Sequence, residues 1–311
     1  MTKINLSTIT IENFTKQIFS NFFDKDEKQK TYKKIENKKE KWAITIQDID
    51  NIIKKKFKNY SQEIDLKKLV TMNYTELCEL KSYIDNHKAI TSLSSTEKDY
   101  FYTLYTRLKK AEYIKDLDIT VCPYCNRNYI QNFRKHNSLE ATAQLDHFFD
   151  KKTYPYFAVS IYNLIPSCQT CNQRKSTKQN EIYHPFVDSF NDDIKFQLYI
   201  KDCEFTYNQD SIKIEKKVID NHEKVKSHIE TFNIDNIYQN HKDIILELIQ
   251  KAEIYNDSYI DELMKNYEGT LFKNREDLMR LITCGYITDE DINKRPLSKL
   301  IKDMSEELEL L

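Results

Sequence analysis

Four cysteines stand in two pairs, Cys122-Pro-Tyr-Cys125 and Cys168-Gln-Thr-Cys171, with 42 residues between them. The two-residue spacing lets a pair of thiolates from one tight knuckle bind a tetrahedral ion, and two knuckles complete a four-cysteine zinc site. Such a site is closed and offers no position to a substrate, so the zinc is expected to be structural and the chemistry to lie elsewhere. Two unrelated Cys-x-x-Cys turns are the plain alternative. The segment between and just beyond the knuckles, LDHFFDKKTYPYFAVSIYNLIPSCQTCNQRKS (145–176), holds Asp146-His147, Asn163-Leu-Ile-Pro and Asn172-Gln-Arg-Lys175.

These pieces allow phosphodiester hydrolysis. That reaction needs an activated water in line with the leaving 3′ oxygen, and histidine, with an unperturbed pKa of roughly 6.5, suits a general base. Neighbouring residues at a strand end project in different directions, so Asp146 can hold a cation while His147 addresses the water. Each residue also has a plainer reading. His147 could be a hydrogen-bonded structural histidine, Asp146 and Asn163 turn residues, and Asn172 the N-cap of a helix.

In this order the pieces resemble the HNH (beta-beta-alpha-metal) endonucleases, whose motif runs Cys-x-x-Cys, Asp-His, Asn-Leu, Cys-x-x-Cys, then His or Asn and a lysine. The resemblance covers about 65 residues, near one fifth of the chain. It implies that His147 is the general base, that Asp146 and Asn172 hold one divalent cation, and that Asn163 holds the hairpin and orients His147. With asparagine as the third motif residue, the oxygen-rich site should prefer magnesium or manganese. Arg174, Lys175 and Lys178 are expected to line the helix that faces the phosphate backbone, and His184 could turn back toward the site, although a core or surface role suits it better. The loop Lys151-Lys-Thr-Tyr-Pro-Tyr156 is similar to that of an HNH subgroup, the nuclease subunits of Septu-type anti-phage systems, which implies an ATPase partner.

The elements that position these residues are mainly helical. In a chain of 311 residues, two glycines and five prolines argue against a turn-rich all-beta fold, while 40% hydrophobic residues exclude wholesale disorder. The expected fold is mainly α with a small α+β core, a zinc-stabilised HNH module flanked by helical regions. Residues 1–118 read as a helical N-terminal region, 119–190 as the nuclease core, and 191–311 as a small hairpin followed by helices. Ser94-Ser-Thr-Glu97 followed by Phe101, Leu104, Tyr105 and Leu108 predicts a capped amphipathic helix. Asn128–Ile130 and Ala158–Ile161 look capable of forming strands, and Ile194–Ile200 and Ser211–Glu215 alternate as a hairpin should.

The net charge of −1 divides into +7 over residues 1–200 and −8 over 201–311, so near-neutrality is no argument against a nucleic-acid partner. Lysine clusters between Lys28 and Lys58, with Tyr32, Trp42 and Phe57, could track a phosphate backbone or form a solvated face. The flanking helical regions are expected to bind a partner or to position non-specific DNA. No apolar run is long enough to span a bilayer and the N-terminus lacks a signal core, so a cytoplasmic protein is expected. RNA cleavage, or a zinc module that binds nucleic acid or protein without cutting it, are the alternatives.

Overall fold

A computed structural model describes residues 3–22, 31–36, 39–177 and 181–311. The N-terminal part holds α1 (Thr8–Phe19), a hairpin of β1 (Tyr32–Glu36) and β2 (Lys39–Ile44), then α2 (Ile46–Lys56), α3 (Leu66–Thr71), α4 (Tyr74–Asn86), α5 (Lys88–Thr91), α6 (Ser95–Thr106) and α7 (Lys110–Asp116). The central part holds β3 (Asn132–Lys135), β4 (Ser138–Ala141), β5 (Gln144–His147), β6 (Leu164–Ser167) and α8 (Gln169–Lys175). Beyond it come β7 (Ile194–Ile200), β8 (Ile212–Val218), α9 (His222–Phe232), α10 (Ile234–Tyr238), α11 (Lys242–Ile254), α12 (Asp257–Tyr267), α13 (Arg275–Thr283) and α14 (Ser298–Glu307). The described strands pair as four separate antiparallel hairpins, β1–β2, β3–β4, β5–β6 and β7–β8. The helix-rich fold with small antiparallel sheets matches the expected class in outline.

Local signals act where the chain supplies them. Ser94 caps α6 with its side chain on the Glu97 backbone N–H, while Glu97 returns a bond to the Ser94 N–H, and Phe101, Leu104 and Tyr105 are buried. The alternation of 194–200 and 212–218 pairs Ile194 with Val218 through Ile200 with Ile212. Two readings are corrected. The N-terminal region is not purely helical, because Tyr32–Glu36 pairs with Lys39–Ile44 as antiparallel strands with a register shift at Lys34/Ile35. Ala158–Ile161 forms no strand: the buried Pro155–Val159 and the segment Ile161–Asn163 coil into short 3-10 turns, with the Ser160 hydroxyl donating to the Leu69 carbonyl at 2.5 Å. Of the early lysines, Lys34 pairs with Asp99 and Lys54 with Glu63, while Lys28 and Lys38 lie outside the described residues.

One hydrophobic core runs from Ile4 to Leu310 and encloses the central hairpin. From the N-terminal side, Tyr113 donates its hydroxyl to the Leu164 carbonyl at 3.0 Å and Tyr156 reaches back to that of Thr91 at 2.6 Å. On the other side, Asn126, in the left-handed region at φ 46°, bonds the Ile292 carbonyl through Nδ2 and receives the Lys299 N–H on Oδ1. Asparagine tolerates that conformation, which is what the sharp exit from the first knuckle needs. No helix among the described residues is long and apolar enough to cross a membrane.

A candidate metal-bound hydrolytic centre

The two knuckles meet. The Cys122 N–H donates to the Asn128 carbonyl at 2.9 Å and the Asn126 N–H to that of Cys122 at 2.8 Å, which closes the first turn. Strand β6 delivers Cys168 to the N-cap of α8, and Cys171 follows one turn later. The four Sγ atoms are buried and lie within 4.8 Å of one another. Four thiolates around zinc at about 2.3 Å sit about 3.8 Å apart, so modest contraction suffices for a tetrahedral ion such as zinc. Asn128 Nδ2 donates to Cys168 Sγ at 3.3 Å, the kind of outer contact that supports a ligating thiolate. Burial pushes the Cys122 thiol up, whereas hydrogen bonds from the neighbouring cysteines, Cys122 first, hold Cys168 far down. Protons divide unequally among four crowded thiols, and a bound cation would replace them.

Strands β5 and β6 place Asp146 opposite Ile165 and His147 opposite Leu164. Because side chains alternate along a strand, Gln144 and Asp146 share one face and His147 takes the other. On the first face Asp146, 3% exposed, receives the Tyr124 hydroxyl at 2.8 Å and the Lys175 ammonium at 3.1 and 3.3 Å. Lys175 also donates to the His147 carbonyl at 2.9 Å. Burial pushes the Asp146 carboxyl up, against the opposing pull of Lys175 and Tyr124. Asn172 is on the same side, with Nδ2 on Gln144 Oε1 at 2.6 Å.

On the second face the His147 ring meets Tyr105 edge-on at 4.5 Å, and its Nε2 lies 3.2 Å from the Ala158 carbonyl. A carbonyl only accepts, so Nε2 carries the proton and Nδ1 keeps the lone pair. Burial, then the Lys151 charge, lowers the His147 pKa to about 3, so the ring is neutral at pH 7. Asn163 is buried and staples the loop after β5: its Oδ1 accepts the Phe149 N–H at 2.6 Å, while Nδ2 donates to the carbonyls of Phe149 at 3.1 Å and Phe157 at 2.9 Å.

Asp146, His147, Asn163 and Asn172 are thus gathered in one hairpin-and-helix unit. The residues expected to face nucleic acid are arranged otherwise. Lys175 is 2% exposed because its charge finds Asp146 inside the unit, and Arg174 donates to the Phe232 carbonyl at 3.1 Å. His184 is fully buried, with Nε2 donating to the Tyr162 carbonyl at 2.8 Å and its ring against Tyr74 and Phe148. Packing has made it a prop for the residue after His147. Lys178 lies outside the described residues.

Sequence reasoning missed Tyr124, Gln144 and Tyr105. Tyr124 stands inside the first knuckle, stacks on Phe232 at 4.6 Å, and its carbonyl accepts from His228 Nε2 at 2.9 Å. The available signal was a large aromatic with a hydroxyl between two cysteines, where any small residue would make the turn. Oxygen donors on Asp146 and Asn172 suit a hard cation in kind. With Lys175 on the carboxylate, such an ion would have to displace the ammonium.

No family model matches the chain, and no solved structure matches it. A stretch of 59 residues is 41% identical to the Septu protein PtuB of Bacillus thuringiensis, a match that spans 18% of this chain and 23% of that protein.

Proposed function

We propose that the chain is a metal-dependent HNH endonuclease that hydrolyses DNA phosphodiester bonds. The observation that supports this best is the gathering of Asp146, His147, Asn163 and Asn172 by one hairpin and one helix beside a four-cysteine cluster. His147, neutral and fixed through Nε2, takes the proton of the attacking water on Nδ1. Asn163 holds the loop that follows the base, and Tyr124 positions the Asp146 carboxylate. A magnesium or manganese ion held by Asp146 and Asn172 would supply charge stabilisation at the phosphate and the leaving oxygen. Zinc on Cys122, Cys125, Cys168 and Cys171 would be structural. The likeness of 59 residues to a Septu protein supports a role in anti-phage defence, and an ATPase partner is part of this proposal.

Purified protein is incubated with supercoiled plasmid and with single-stranded RNA, in magnesium or manganese, alongside His147→Ala. The expected result is metal-dependent nicking of the plasmid, reduced about 10²–10⁴-fold in the variant. Cleavage of RNA alone would replace the substrate. The Lys175–Asp146 pair and the enclosed His147 ring favour a second reading, a module that binds without cutting. Folded, zinc-loaded protein that cuts neither substrate, with or without the ATPase, would establish it.

A further inference from the structure

Two ammonium groups approach one ring beside the candidate base. Lys110 Nζ lies 5.3 Å and Lys151 Nζ 4.3 Å from the centroid of Tyr105, the ring that meets His147 at 4.5 Å. A ring face attracts a cation, but two cations drawn to the same ring repel each other unless an anion joins them. Neither lysine has a carboxylate partner among the described residues. The nearby Asp150 carboxylate accepts the Thr153 N–H and hydroxyl, each at 3.0 Å, and its charge acts on Lys151 from beyond contact distance, against that of Lys110.

Lys151 is not a free surface lysine. Its carbonyl accepts the Tyr102 hydroxyl at 2.9 Å, its side chain is half-buried, and burial followed by the Lys110 charge pulls its pKa down. Two like charges drawn to one ring, one of them half-buried, suit a ligand whose negative charge is spread over several oxygens, and lysine binds phosphate as a point charge. Near the end of α7 a cleft is lined by Lys115, Arg134 and His136 with no carboxylate among its walls, while Glu112 and Asp116 line the adjoining cleft on the other side of Lys115.

We propose that Lys110 and Lys151, standing over Tyr105 beside His147, grip a backbone phosphate of duplex DNA and so hold the strand against the candidate base. The proposal rests on the nucleic-acid reading above and adds the residues that hold the strand. It is tested by anisotropy of a labelled duplex without added divalent metal, over a range of salt concentrations. Wild type is compared with K110Q/K151Q and with K226Q/K265Q, which removes two exposed charges from α9 and α12.

Binding of K110Q/K151Q should be about tenfold weaker at low salt. The slope of log K against log salt should be shallower by roughly 0.9, since the pair seats one phosphate and each phosphate contact contributes about 0.9. A slope equal to wild type, an equal loss in K226Q/K265Q, or no binding by wild type overturns the proposal. A loss seen only with single-stranded RNA overturns DNA as the occupant. If the slope falls as expected but no variant or wild type cuts, the phosphate seat stands and the hydrolytic reading fails.

Discussion

At one end of the β5–β6–α8 unit four thiols face one another, and at the other a buried carboxylate faces an ammonium. Among the described residues no cation pairs with the cysteine end, so four thiolates there would need an external one. The Asp146 end brings its cation with it: Lys175 reaches both carboxylate oxygens at 2% exposure. Two sites of similar burial therefore have different needs. The first could hold a metal ion, whereas the second is satisfied as folded and admits a divalent ion only in competition with a side chain. Breaking a buried ion pair by removing one partner is costly, so this competition has a high threshold.

The largest effect should come from the cysteine end. Cys171→Ser is expected to abolish the zinc measured per chain by elemental analysis and to unfold the core, since structural zinc supplies about 10–16 kcal/mol in small zinc modules. An unchanged melting temperature would show that the cluster carries no load. At the other end, Lys175→Met strands the Asp146 carboxylate and should cost about 3–5 kcal/mol in denaturant unfolding. Manganese should then raise the melting temperature of the variant more than that of wild type. Equal shifts would mean that Lys175 does not compete for the site.

Tyr124 joins the two ends, so Tyr124→Phe tests whether they are coupled. Loss of a hydrogen bond to a charged group predicts about 1.5–3 kcal/mol, and the effect should be non-additive with Lys175→Met because both act on one carboxylate. Additive losses would separate the ends. The smallest effect is graded with pH. His184 props Phe148 at the Asp146 end and His228 props Tyr124 at the cysteine end, and burial lowers their pKa values to about 3 and about 4. Both lie below the unfolded value of about 6.5, so the unfolded chain takes up protons first as pH falls. Their stabilisation is complete above that value and is lost progressively down to pH 3–4. Urea midpoints between pH 7 and pH 4 should fall less steeply in His184→Gln and in His228→Gln, and the two slopes divide the effect between the ends.

Much of this was legible residue by residue. The Cys-x-x-Cys spacings, the capping box at Ser94–Glu97 and the alternation of 194–200 report geometry within a few residues of themselves. Ala158–Ile161 misled because its apolar, β-branched character reflects complete burial, which a 3-10 turn satisfies as well as a strand does. Lys175 misled because a lysine on a short helix is normally solvated, and nothing within α8 reveals that the Asp146 carboxylate, 29 residues earlier, waits on its inner side.

The type, order and spacing of the donor residues were present in the chain, because a knuckle, a strand end and a helix start are local shapes that neighbouring residues define. Which charge each donor meets was decided by tertiary structure. Tyr105 from α6 covers His147, Tyr124 from the first knuckle reaches Asp146, and Lys175 turns inward because burial makes an unpaired carboxylate too costly to leave alone. Those pairings join residues 22 to 42 positions apart, and such distances close only when the core does.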